Sequence, residues 1–122
     1  MKYYYLIVLV IFMSSCKKET NTTFDTTQPA EETALLGETV FTQNNCAACH
    51  KTDQKVVGPS LQEIAKIYKE QNGDMVAFLK EEAEPIVDPK MYESMKINLQ
   101  ITKTLSDEEL KALENYILGF AK

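Results

Sequence analysis

Residues 35–122 predict an all-α domain of about four helices, and three observations carry that reading. Apolar side chains recur at helical spacing in four separate segments, helix-capping residues stand ahead of three of them, and no segment alternates apolar with polar side chains as a half-buried strand does. The first helix is read from Leu35, Leu36, Val40 and Phe41 on one face, ending near Asn44, where Asn44-Asn45 suits a turn. Gly58-Pro59 then breaks the chain. Ser60-Leu61-Gln62-Glu63 has the spacing of a capping box, and Leu61, Ile64, Ala65 and Tyr68 follow at i, i+3, i+4 and i+7. Gly73 is expected to stop this second helix. Asp74 caps a third that holds Met75, Val76, Phe78 and Leu79 and is ended by Pro85. The last helix is the clearest: Ser106-Asp107-Glu108-Glu109 is another capping box, with Leu110, Leu113, Tyr116, Ile117 and Phe120 behind it on one face.

Composition narrows the function classes. At 122 residues, 44% apolar and 25% charged, the chain has the makeup of one ordinary globular domain. Its thirteen cations, all lysine, face eighteen carboxylates, and the net charge of −5 argues against a nucleic-acid binder, which normally needs a basic face. Without arginine there is also no bidentate phosphate fork. Three cysteines are an odd number for a disulfide framework, and they fall unevenly: Cys16 stands alone while Cys46 and Cys49 form a close pair.

The N-terminus has its own logic. Lys2, the apolar or aromatic run from Tyr3 to Met13, then Ser14, Ser15 and Cys16 follow the layout of a secretory signal, charge first, apolar stretch next, small residues last. The run is well short of the roughly 20 residues a helix needs to span a bilayer. Small residues directly before a cysteine resemble the bacterial lipobox, although Met13 stands where leucine is usual. That resemblance implies removal of residues 1–15, a lipid on Cys16, and anchorage to a membrane on its extracytoplasmic, periplasmic side. Residues 16–34 are rich in Thr, Glu and Lys without apolar periodicity and read as a flexible linker. As a coil, its length spans about 23 Å root-mean-square.

A domain as small as residues 35–122 usually needs a staple, a metal or a cofactor. Cys46-Ala47-Ala48-Cys49-His50 supplies one as C-x-x-C-H, the attachment signature of a c-type haem. Two thiols three positions apart can add to the two vinyl groups of one porphyrin edge, and the next residue brings an imidazole to the iron. His50 is the only histidine in the chain. A zinc site would need two further Cys or His ligands, a thioredoxin-like dithiol would follow a strand, and a plain disulfide would leave His50 unexplained.

Around this motif, residues 35–122 resemble a class I cytochrome c with one covalent haem c per chain. The resemblance extends to Gly37 and Phe41, which match the family's first helix, and to Leu113 and Tyr116, which match its last; in that family these two helices cross, the glycine allowing close approach. A glycine inside a helix costs about 1 kcal/mol relative to alanine unless something packs against it. The resemblance further implies that the carbonyl of Pro59 accepts the proton on the outer nitrogen of His50, which fixes the tautomer. It also implies a methionine as second axial ligand, on a loop ahead of the capped last helix. Met75 reads as core. Met91 and Met95 both qualify, and Met-Lys-Ile-Asn-Leu from Met95 fits the family pattern better, although Lys96-Ile97 replaces the usual proline.

The implied role is non-enzymatic: a membrane-tethered carrier of single electrons, with His50 and Met95 holding the iron, between redox complexes such as a quinol-oxidising complex and a terminal oxidase or reductase. The alternative is a module that senses or binds nitric oxide or carbon monoxide through a labile methionine. Charge placement suggests a mildly positive haem edge: Lys51 and Lys55 outnumber Asp53 in residues 50–60, and Lys90, Lys96 and Lys103 outnumber Asp88 and Glu93 in residues 88–105. Such an edge would steer the protein to an acidic docking face.

Overall fold

The computed structural model describes residues 28–122, which form five α-helices and two short 3₁₀ turns, with no strand among them. The proposed signal segment and Cys16 lie outside the described residues. In chain order the helices are α1 (Gln28–Gln43), α2 (Leu61–Gln71), α3 (Met75–Leu79), α4 (Tyr92–Thr102) and α5 (Asp107–Leu118); the 3₁₀ turns are Cys46–Ala48 and Pro89–Met91.

The frame is the packing of the first helix on the last. Val40 and Phe41 of α1 are buried with Leu110, Leu113 and Ile117 of α5 in one core, joined by Leu61, Tyr68, Met75, Leu79 and Leu99. The close approach is at Gly37. A Cβ there would stand 2.2 Å from the Ala112 carbonyl oxygen and 2.6 Å from Tyr116 Cβ, so only a glycine lets the backbones meet. One turn on, the Phe41 and Tyr116 rings pack with centroids 5.4 Å apart.

The caps follow the sequence logic in part. Ser106 and Glu109 form the full reciprocal box at the start of α5. Asp74 Oδ1 accepts the Ala77 N–H at 2.8 Å, and Ser60 Oγ accepts the Glu63 N–H at 3.1 Å. Asn45 takes the left-handed conformation at the turn after α1, with φ 58°.

Other expectations are corrected. Helix α1 begins at Gln28, upstream of the Leu35 start read from periodicity, and Leu35 is 59% exposed, so the buried face consists of Leu36, Gly37, Val40 and Phe41. Helix α2 is stopped by Asn72, left-handed at φ 51°, and not by Gly73. Gly73 serves packing, since a Cβ there would meet the Ile86 side chain at 2.5 Å and the Tyr68 ring at 2.8 Å. Helix α3 ends at Leu79, well before Pro85, because Glu81 turns left-handed at φ 60°. Its carboxylate is held by Lys103 and by the Gln100 amide, 3.1 Å away.

The largest correction concerns residues 92–102, expected as loop and found as helix α4. The segment contains no Gly or Pro, Pro89 opens the 3₁₀ turn ahead of it, and Met95, Leu99 and Thr102 recur at i, i+4 and i+7. Leu99 and Thr102 are buried, and Thr102 Oγ1 donates to the Leu79 carbonyl at 2.6 Å, which moors the end of α4 to the end of α3.

Candidate functional site

The turn between α1 and α2 is built around the C-x-x-C-H residues. The Cys49 and His50 N–H groups both donate to the Cys46 carbonyl, at 3.2 and 3.0 Å, so the motif winds through one tight turn. The chain then doubles back: Gly58 N–H bonds the Cys49 carbonyl at 3.0 Å, Leu61 N–H the Lys51 carbonyl at 2.8 Å, and Gln62 N–H the Thr52 carbonyl at 3.1 Å. Residues 49–62 are thereby closed on themselves, although most of residues 51–57 are surrounded by solvent.

This closure brings the Pro59 carbonyl 2.8 Å from His50 Nδ1. A carbonyl oxygen can only accept, so Nδ1 carries a proton, and in the neutral ring this is the tautomer whose Nε2 lone pair can bind a metal. Cys46 and Cys49 are half-buried and not joined in a disulfide. Burial pushes the Cys46 thiol above its ordinary value, opposed by its backbone hydrogen bond and reinforced by the neighbouring Cys49. It is therefore a neutral thiol at pH 7.

These residues border an apolar cleft with a cavity volume of about 150 Å³, open to solvent at its mouth. Its walls come from every helix, with Phe41, Leu61, Met75, Leu79, Leu113 and Ile117 giving it an apolar floor. Among the described residues Asp88 is the one carboxylate in the wall, and it is tied to Lys55 at 2.7 Å. Hydrogen bonds to Lys55 and to the Met91 N–H, with the nearby charge of Lys55, hold Asp88 below the usual carboxylate range.

The structure brings Cys46, Cys49, His50, Pro59, Met91 and Met95 to this one cleft, although they are spread over residues 46–95. Met95 lies in the first turn of α4, with its Sδ 3.9 Å from the Asn98 amide nitrogen. Met91 precedes it by one turn. Met75, read as core, is buried and also lines the cleft, as do Tyr68, Phe78, Tyr92 and Ile101. Helical spacing alone gives no sign that these side chains serve the cleft, because a core residue and a cleft residue occupy the same helix face.

The donor set and the wall fit a haem. An apolar cleft lined from every helix suits a flat macrocycle, two thiols at its edge suit covalent attachment, and an imidazole held through Nδ1 suits iron at Nε2. Among the described residues no three His, Cys, Asp or Glu side chains gather to hold an ion unaided, so a protein-only zinc site finds no support in them.

Comparison with known proteins agrees with this geometry. Residues 34–120 match the cytochrome c family. A cytochrome c-552 of Nitrosomonas europaea is 36% identical over 76 residues, covering 62% of this chain and 70% of that protein. A cytochrome c-551 of Stutzerimonas stutzeri is 55% identical over 38 residues, 31% of this chain and 35% of its own length. For a cytochrome c-551 of Pseudomonas denitrificans the identity is 44% over 43 residues, 35% of this chain and 51% of the relative.

Proposed function

The chain belongs to the cytochrome c family, and on that premise we propose that it carries single electrons while tethered to the outer side of a membrane by a lipid on Cys16. Covalent haem c, which the family implies, supplies a one-electron iron couple when bound. The observation that carries the reading is the His50 ring, fixed through Nδ1 by the Pro59 carbonyl at 2.8 Å beside two thiols on a wide apolar cleft.

The residues divide the work. Cys46 and Cys49 would hold the porphyrin edge by thioether bonds. His50 would bind the iron through Nε2, and its bond to Pro59 makes it the stronger donor. Met95 would hold the iron from the other side, a soft thioether that would favour the reduced metal and raise the potential. With His50 and Met95 both bound to it, the metal would be closed to substrates, and the chemistry it would supply is electron transfer. The apolar floor would keep water from the ring and so tune its potential further.

Lys51, Lys90 and Lys96 have no carboxylate within ion-pair distance among the described residues, whereas Lys55 and Lys103 are paired with Asp88 and Glu81. The positive character of the edge therefore rests on those three side chains, which would steer it to an acidic face on a membrane redox complex, whether a quinol-oxidising complex or a terminal oxidase or reductase. None of the described helices is long and apolar enough to cross a membrane.

Visible spectra of the purified oxidised and reduced protein test the assignment. A covalent, low-spin haem with the red-edge sulfur-to-iron band is expected, lost in Met95→Ala and kept in Met91→Ala; the reverse pattern moves the ligand to Met91. Carbon monoxide added to the reduced protein should leave the spectrum nearly unchanged. An immediate shift would replace the carrier reading with that of a gas-binding module. Membrane fractionation of wild type and Cys16→Ser tests the anchor: release of the variant alone is expected, and two identical distributions refute it.

A further inference from the structure

We propose that Gly58 is a positioning residue for the His50 imidazole, holding the ring plane by contact with its face; the inference rests on His50 being an axial ligand. A Cβ on residue 58 would stand 2.5 Å from His50 Cε1, 2.9 Å from Nδ1 and 3.1 Å from Nε2. Three ring atoms so near one point mean that the glycine Cα lies against the flat of the imidazole. The φ of Gly58 is not in the left-handed region, so its backbone would accept any residue. What excludes a side chain is the ring.

The contact is rigid because the glycine has nowhere to retreat. Its N–H is bonded to the Cys49 carbonyl at 3.0 Å, the residue directly before the histidine. The next carbonyl, of Pro59, is the one that accepts from Nδ1 at 2.8 Å. Pro59 itself is buried, and its ring restricts Gly58 to extended conformations. Residue 58 is thus clamped on both sides to the element it touches. An added methyl must either turn the imidazole about Cβ–Cγ, lengthening the bond to Pro59, or part Gly58 from Cys49.

Two constraints then act on one ring. The hydrogen bond sets which nitrogen carries the proton and pulls at one atom, leaving rotation about the Nδ1···O line weakly opposed. The Gly58 backbone opposes that rotation. In a ligated imidazole this rotation sets the direction of the ring plane over the porphyrin, and hence how its π orbitals meet the metal.

The first measurement uses the unaltered protein. In the reduced, haem-loaded, diamagnetic state, a strong through-space NMR contact is expected between a Gly58 Hα and the His50 Hε1; its absence overturns the proposal. The second uses Gly58→Ala. Its oxidised form should show a changed order or spread of haem methyl shifts, and its potential should rise because a weaker Nδ1–H···O bond leaves the imidazole a poorer donor. Unchanged methyl shifts in a correctly loaded variant overturn the proposal too, whatever happens to thermal stability. The outcomes separate from those of the electron-carrier reading: a high-spin wild-type spectrum that keeps a bound imidazole refutes the methionine ligand alone, a spectrum without a bound imidazole refutes both readings, and a low-spin spectrum without the Gly58 contact refutes this inference alone.

Discussion

Gly37→Ala puts the helix crossing to a quantitative test. On α1 alone the substitution should help, since alanine is favoured over glycine in a helix interior by about 1 kcal/mol. The crossing reverses the sign. The new Cβ would lie 2.2 Å from the Ala112 carbonyl oxygen and 2.8 Å from its carbonyl carbon, where ordinary contacts begin at 3.4 Å. Both obstacles are backbone in a helix whose Ala112 and Leu113 are at most 2% exposed, so no side chain can swing away. The helices must part by roughly 1 Å, which loosens the dispersion contacts along the seam and the Phe41–Tyr116 ring pair. Overpacking of this kind costs about 1–3 kcal/mol or somewhat more; taking the upper part of that range less the gain in propensity, the net loss is about 2 kcal/mol. For a domain of this size that is a fall in Tm of about 8–16 °C. Thermal unfolding of haem-loaded protein, followed by far-ultraviolet circular dichroism, measures it. Gly119→Ala is the internal control: Gly119 has φ −62° and its Cβ would come no nearer than 3.2 Å to another residue, so that variant should fall within about 0.5 kcal/mol of wild type. A Gly37→Ala midpoint at or above wild type would refute the close-approach argument.

Two further perturbations have worked signs. Thr102→Val keeps the side-chain shape but leaves the Leu79 carbonyl, now bonded at 2.6 Å, without its buried donor; a loss of about 1–3 kcal/mol is expected by chemical denaturation, and no loss would mean the bond does not moor α4. For pH, the folded state holds Glu81, Asp88 and Asp107 below their ordinary values, chiefly through hydrogen bonds with Lys103, Lys55 and Lys80. Lowered carboxylates stabilise the fold above their unfolded values, near 4.5 for Glu and 3.8 for Asp, and that contribution is lost as pH falls through the lower folded values. Denaturation midpoints should therefore drop between about pH 5 and pH 2, and Lys103→Met should flatten part of the slope; identical slopes for variant and wild type would remove Glu81 from the account.

Much of this protein is legible without its fold, for a local reason. A cap, a helix face and the C-x-x-C-H turn each depend on residues within a few positions of one another. Hence Asp74 and the Ser106–Glu109 box, the buried faces of α2 and α5, and the motif at Cys46, Cys49 and His50 lie where the pattern of residue types places them. Pro59 and Gly37 were reached through resemblance to a family, and the hydrogen bond at 2.8 Å and the blocked Cβ supply their physical grounds.

Other features depend on residues far apart in the chain. Helix α4 takes the place of an expected loop because Leu99 and Thr102 find a core made by α3 and α5, and the ending of α3 is set by a left-handed Glu81 whose partners lie at positions 100 and 103. Gly73 and Gly58 read in the chain as breaks, and only in three dimensions does each prove to be a surface against which a ring or side chain rests. Residue order alone determined the turn chemistry and the thiol–imidazole triplet, since these need only neighbours. Tertiary structure decided which helix faces form the cleft and how closely backbones pass, since steric exclusion between distant segments has no signature in either.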